Sequence, residues 1–271
     1  MKIAFIGGGN MATALIAGLV KEGGSSTQVH VVDPNPDALA RLAAQYGATT
    51  AGGIDGAVGS VDVIVLAVKP QQMREVAGAL APHLGAQPLV LSIAAGIRGA
   101  DLSRWLGGYG AIVRAMPNTP ALIGMGITGL VALEGVSADQ RAAADSVLRA
   151  VGQTVWLNNE ALIDPVTAVS GSGPAYVFYF LEAMQAAATE MGLSAEQGKQ
   201  LALATFAGAT ELASQSDESL EVLRQRVTSK GGTTHAAISS MESSGIKESI
   251  IAAMKAAAAR GRELGDELGA T

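Results

Sequence analysis

The chain contains no cysteine, which excludes disulfides, a thiol nucleophile and thiolate metal sites, and suits a reducing, cytoplasmic setting. Histidine is almost as scarce: His30, His83 and His235 lie far apart and show no metal-ligand spacing, so no metal is expected. Aromatic residues make up 4% of the 271 positions and charged residues 15%, and the net charge is −6. That balance gives no general electrostatic reason to bind nucleic acid or an anionic membrane. Long uncharged runs are also few. Residues 3–20 follow Lys2 without a charge and mimic a secretory signal, but Gly7-Gly8-Gly9-Asn10 interrupts them and fits strand, turn and helix better. Residues 115–133 carry Pro117, Asn118, Pro120 and several glycines, which makes a poor spanning helix. No membrane partner is expected.

What is abundant is alanine and glycine, the latter at 34 positions, in a chain 49% hydrophobic and long enough for two cores. The first half alternates between two periods. Short buried strands are predicted at 3–6, 29–32, 61–68, 89–93 and 111–113, with helices at 11–22, 36–46, 71–84 and 100–106 between them. Further strands at 126–133 and 154–157 flank a helix at 137–151, where Ser137 and Gln140 fit a capping box. Such a βαβ series implies a mainly parallel sheet covered on both faces. After Asn158 the strand signals stop, and helices follow near 160–169, 174–191, 195–215, 220–227, 233–243 and 246–268. The expected organisation is α/β: a Rossmann-type domain over residues 1–158 and an all-α domain over 159–271.

Gly7-Gly8-Gly9-Asn10-Met11-Ala12 follows the first strand and opens the first helix, matching G-x-G-x-x-A. Gly7 permits the tight turn, Gly9 lets the backbone approach a pyrophosphate, and Ala12 lets helix and strand pack closely. Asp33 ends the second strand. It can accept hydrogen bonds from a ribose 2′-OH, which points to NAD, or it can simply cap an Asp-Pro turn. Asn35 can reach either form of the cofactor. Lys69, held by Pro70 at the end of Val65-Leu66-Ala67-Val68, is placed to line a cofactor cleft beyond the carboxyl ends of the strands. Ser92-Ile93-Ala94-Ala95-Gly96 and Met116-Pro117-Asn118-Thr119-Pro120 end two later strands with small residues, against which a nicotinamide ring can lie flat.

The helical half holds one further polar segment, Thr228-Ser229-Lys230-Gly231-Gly232-Thr233-Thr234-His235, directly before a helical pattern. Unpaired N–H groups at a helix start make a ready anion site. Either Thr233 or Thr234 can instead serve as the helix cap. Ser170-Gly171-Ser172-Gly173-Pro174 loosely resembles a nucleophile elbow, but a helical pattern precedes it where a strand is required. A glycine-rich break before a helix starting at Pro174 is the expected reading.

Taken in order, Gly7 to Met11, Ala67 to Pro70, Met116 to Pro120, Ser170 to Tyr176 and Ser229 to Thr234 resemble the sequence blocks of pyrroline-5-carboxylate reductases. The resemblance spans essentially the whole chain, and its last two blocks are the specific ones. It implies NAD(P)H-dependent reduction of a small carboxylate substrate, the cyclic imine 1-pyrroline-5-carboxylate, to L-proline. It also implies NADP(H) as the preferred cofactor with NAD(H) accepted, and a helical domain that forms a homodimer, often within a ring of dimers. By position, Gly7, Gly8, Gly9, Asn10, Met11, Asn35, Ala67, Val68, Lys69, Pro70, Ala95 and Asn118 would bind the cofactor. Ser229, Lys230, Gly231, Gly232, Thr233 and Thr234 would hold the substrate carboxylate, with Thr234 beside the imine nitrogen as the catalytic candidate. The chain departs from the pattern at Gly52-Gly53-Ile54, where relatives often carry an asparagine on the adenosine side. Two other readings are a β-hydroxyacid dehydrogenase, which needs a lysine on the first long helix of the second domain, and a non-catalytic dinucleotide sensor. Residues 174–191 contain no lysine.

Overall fold

The computed structural model describes residues 1–270. By packing, the chain divides into two compact units: one comprises Met1–Ser172 together with the chain from Ala256 onward, the other Gly173–Lys255. The expected boundary at 158/159 follows the last strand. The division by packing falls later and returns the end of the chain to the first unit.

In the first unit, eight strands form one sheet: β1 Lys2–Ile6, β2 Gln28–Val32, β3 Thr49–Ala51, β4 Val63–Leu66, β5 Leu89–Ser92, β6 Ile112–Met116, β7 Gly126–Ala132 and β8 Gly152–Trp156. Their order is β3-β2-β1-β4-β5-β6-β7-β8, parallel throughout except between β6 and β7. β1 is buried on both faces because its alternating side chains enter two cores. Ile3 and Phe5 join Leu15, Ile16 and Leu42 on one side, while Ala4 and Ile6 join Met73, Leu80 and Leu102 on the other. Helices α1 Asn10–Gly23, α2 Pro36–Tyr46, α3 Met73–Leu80, α4 Gly99–Trp105 and α5 Ala138–Arg149 cover these faces. β1 pairs with β2 on one edge and β4 on the other, so the chain order reverses at its carboxyl end, where such sheets leave a crevice.

Several elements differ from the sequence expectation. β3 is too short and polar to announce itself. β6 runs past residue 113 through Arg114, a charge buried in a strand because Glu160 pairs with its guanidinium at 2.6 Å. β4 stops at Leu66 rather than 68, where the chain turns away beside Gly7. The helix predicted at 71–84 ends at Leu80 and tightens into a 3-10 turn at Ala81–Ala86 containing Pro82. The capping box of Ser137 and Gln140 forms as expected at α5.

α6, Ile163–Val166, passes into a π-helical turn at Thr167–Gly171, in which the Ser172 N–H donates to the Thr167 carbonyl at 2.8 Å. The glycine-rich break expected before Pro174 therefore holds a π-helical turn through Gly171 rather than an open loop.

The second unit contains α7 Gly173–Glu190, α8 Ala195–Ser214, α9 Leu220–Arg226, α10 Thr233–Ser243 and the start of α11 Ile246–Gly269. Ser194 and Gln197 form a capping box at α8. This unit buries few of its apolar side chains. In α7 only Ala188 is buried, while Phe178 and Tyr179 are 65% and 74% exposed.

Candidate active site

The glycine loop lies at the carboxyl end of β1. Gly7 has φ +103°, and a Cβ there would stand 2.6 Å from the Ala67 carbonyl oxygen, so glycine is required twice over. Gly9 is the opposite case: nothing lies within 4 Å of where its Cβ would be, which leaves the backbone open to close approach. Gly9 caps α1 with no side-chain hydrogen bond, and the first turn holds no acid. Its leading N–H groups therefore remain available to a phosphate. Ala12, 1% exposed, lets the helix lie tight on the sheet.

Asp33 has both of its sequence-level roles within reach. One carboxylate oxygen accepts from the Gly8 N–H at 2.7 Å, and the other from the Asn35 N–H at 2.8 Å. Asn35 in turn caps α2, its side-chain oxygen accepting from Asp37 at 3.0 Å and Ala38 at 3.3 Å. Asp33 thus braces the glycine loop against the β2 turn while still lining a cleft.

That cleft, about 660 Å³, opens beyond β1, β2 and β4. Of the residues expected to bind a cofactor, Gly7, Gly9, Asn35, Ala67, Val68 and Lys69 line it. Gly8, Asn10, Met11, Pro70, Ala95 and Asn118 are not among its walls. Asn10 and Met11 open α1, and Pro70 starts a 3-10 turn. Ala95 follows the end of β5, and Asn118 is buried with its side-chain oxygen accepting from the Ile127 N–H at 3.0 Å. The rim at Gly52-Gly53-Ile54 has open space at both glycines. Sequence reasoning missed the opposite wall: Gln72, Glu75, Val76 and Ala79. Their i, i+3, i+4, i+7 spacing marks one face of a helix, and that signal, read outward from Lys69 and Pro70, was available.

The polar segment of the second unit is a helix start, as anticipated, but its cap is Gly232, which makes no side-chain cap bond. The reading in which Thr233 or Thr234 caps α10 is thereby corrected, because both lie inside the helix as its first two residues. Thr228 folds back, its hydroxyl donating to the Arg224 carbonyl at 2.6 Å. The Gly232 N–H donates to Ser229 at 3.0 Å, closing a turn around Gly231, whose φ is +75°. Ser229, Lys230 and Thr233 are exposed and Thr234 is half-buried. The leading N–H groups of α10 and the threonine hydroxyls form a donor-rich site suited to a carboxylate.

Ser170 is not a nucleophile of the elbow type: α6 precedes it, and its hydroxyl donates to the Val166 carbonyl at 3.0 Å. Among the described residues no cluster of acids and histidines is arranged to hold a metal, and no helix is long and apolar enough to cross a membrane.

Residues 160–264 match the family described as pyrroline-5-carboxylate reductase dimerisation, and residues 2–96 match that described as NADP oxidoreductase coenzyme F420-dependent. The chain is 46% identical to the pyrroline-5-carboxylate reductase of Pseudomonas aeruginosa, over 99% of its own length and 98% of the relative's. A solved pyrroline-5-carboxylate reductase from Coxiella burnetii superposes with a TM-score of 0.90 at 41% identity, covering 97% of each chain. The Plasmodium falciparum enzyme, solved with NADP bound, gives 0.86 at 28% identity over 98% of each chain.

Proposed function

The chain belongs to the pyrroline-5-carboxylate reductase family, and on that premise we propose that it reduces 1-pyrroline-5-carboxylate to L-proline with NAD(P)H, the last step of proline synthesis. The observation that carries the assignment of roles is the pair of uncapped helix starts, one in each unit, each preceded by glycines and each offering free N–H groups to an anion. The first suits a dinucleotide. Gly7 and Gly9 supply the close turn, the start of α1 takes the pyrophosphate, and Asp33 and Asn35 flank the ribose.

The second suits the substrate carboxylate, held by the turn from Ser229 to Thr234. When bound, the dihydronicotinamide supplies hydride to the ring carbon of the imine. Binding both partners in place can lower the barrier by roughly 7–11 kcal/mol in favourable cases, so little covalent help is needed. Thr234 stands at the imine nitrogen. A threonine hydroxyl is a poor acid, so it orients the nitrogen or relays a proton to it rather than ionising. Ser170 and His235 take no part.

NADP(H) is the preferred cofactor and NAD(H) an accepted one. The NADP-bound Plasmodium relative supports this, as does the Lys69 cation on the cleft wall, against the opposing charge of Asp33. A second copy of the chain covers the apolar face of the helical unit, and such dimers assemble into a ring. Light scattering reads both, and a mass of one chain contradicts them. A biosynthetic reduction drawing on NAD(P)H suits the cytoplasm. A β-hydroxyacid dehydrogenase would need a lysine on α7, which has none.

The roles are tested at Thr234. Thr234→Ala should lower kcat about ten- to a hundredfold, reaching the lower end of the roughly 10²–10⁴-fold that a positioned proton-transfer group contributes, with cofactor affinity unchanged and Thr234→Ser restoring most of the rate. Unaltered turnover in Thr234→Ala removes the assigned role.

A further inference from the structure

The loop after β5 carries Ala95, assigned above to the cofactor, and it is held in an unusual way. Ala94 and Ile97 anchor it in the core, 7% and 1% exposed. Between them Gly96 adopts φ +72°, and a Cβ there would approach Leu268 at 3.2 Å and Leu264 at 3.3 Å, both on the last turns of α11. Two residues on, the Arg98 guanidinium donates to Asp266 Oδ1 at 2.6 Å and to the Arg262 carbonyl at 3.3 Å. Gly261, Gly265 and Gly269 recur every four residues and so share one face of α11. That face receives Asp164, Arg98 and Asp101 in turn, with a Cβ on Gly265 only 3.1 Å from Arg98 Nε. The far side of the same loop is fixed as well, since the Gly99 N–H donates at 2.6 Å to the Glu160 oxygen that also holds Arg114.

The ion pair itself is exposed, with 43% of the Arg98 side chain and 72% of the Asp266 side chain accessible. Exposed pairs add little to global stability, so a bond placed here acts locally on the loop. We propose that Arg98 is a positioning residue for hydride transfer: by clasping the end of α11 it fixes the 94–98 loop, and so Ala95, in the conformation that receives the nicotinamide. The inference rests on the reading that Ala95 meets the cofactor. Arg98 touches neither substrate nor cofactor and works through that loop.

The test uses the full-length protein and its Arg98→Met, Asp266→Asn, Arg98→Lys and Ala95→Leu variants, assayed with NADPH and 1-pyrroline-5-carboxylate. Arg98→Met and Asp266→Asn should each lower kcat about three- to tenfold, because a small misplacement of a reacting ring is costly. Affinity for 2′-phospho-ADP-ribose, which lacks the nicotinamide, should stay unchanged, and Arg98→Lys should recover most of the rate. Unchanged kcat in both variants overturns the proposal, as does an equal loss of 2′-phospho-ADP-ribose affinity, which would mean general loosening. Ala95→Leu separates the two readings. If it impairs turnover while the Arg98 variants do not, the positioning role alone fails; if it changes nothing, the placement of Ala95 fails first and the inference with it.

Discussion

Asp33 shows how one side chain can answer two questions that its sequence context poses separately. Its carboxylate holds Gly8 and Asn35, yet its charge faces the cleft where the ribose of a dinucleotide would sit. Replacing it by asparagine keeps the shape and one acceptor but removes the charge. At an effective dielectric near a protein surface, that charge opposes a 2′-phosphate by about 1 kcal/mol or more. Asp33→Asn should therefore raise the ratio of kcat/KM for NADPH over NADH about five- to tenfold. Asp33→Ala, which also releases Gly8, should weaken both cofactors. A ratio that stays put in Asp33→Asn confines the residue to its turn. The glycine motif, Asp33 and Lys69 were legible at this scale because special backbone geometry and charge leave their mark on residue type. The structural contact of Asn118 was not, because only the fold brings its side-chain oxygen to the Ile127 N–H. The cap of α10 was not legible either: serine and threonine are the usual caps, and here a glycine takes the position.

Among the elements, those with a strong period stood out from sequence: β1, α1, β2 and α2 match their expected spans within a residue or two. Those that failed did so for identifiable reasons. β3 has no apolar run. The extension of β6 through Arg114 depends on a glutamate 46 residues away, and the π turn before α7 has no compositional signature. α7 was predicted as a helix from its period, but period alone does not say what an apolar face packs against. Tyr176, Tyr179 and Phe180 line, with Ile250 and Met254 of α11, a groove of about 420 Å³ whose surface is nearly all apolar. Exposed apolar surface of this kind marks an interface. The dimerisation family match over 160–264 falls on the same stretch. Phe180→Glu should shift the protein toward single chains at micromolar concentration, because a buried unpaired charge costs several kcal/mol. An unchanged mass by light scattering contradicts the placement of the interface on this face.

At the scale of the molecule, the order of motifs along the chain carried more than any one of them. A glycine loop alone fits many dinucleotide proteins, but followed by the Lys69-Pro70, Met116-Pro117 and Ser229 to Thr234 blocks it narrows to one family, and full-length identity to known members bears that out. The return of the last turns of α11 to the first unit stayed hidden, since residues 246–268 read as one continuous amphipathic helix and nothing in the period marks a change of neighbour. The central claim is an imine reduction in which the Rossmann unit supplies the cofactor and the helical unit holds the carboxylate. Side-by-side oxidation of NADPH and NADH by the purified protein, with and without 1-pyrroline-5-carboxylate, tests it most directly. The account predicts steady oxidation that requires the imine, yields L-proline and runs faster with NADPH. Cofactor binding without imine-dependent turnover would contradict it.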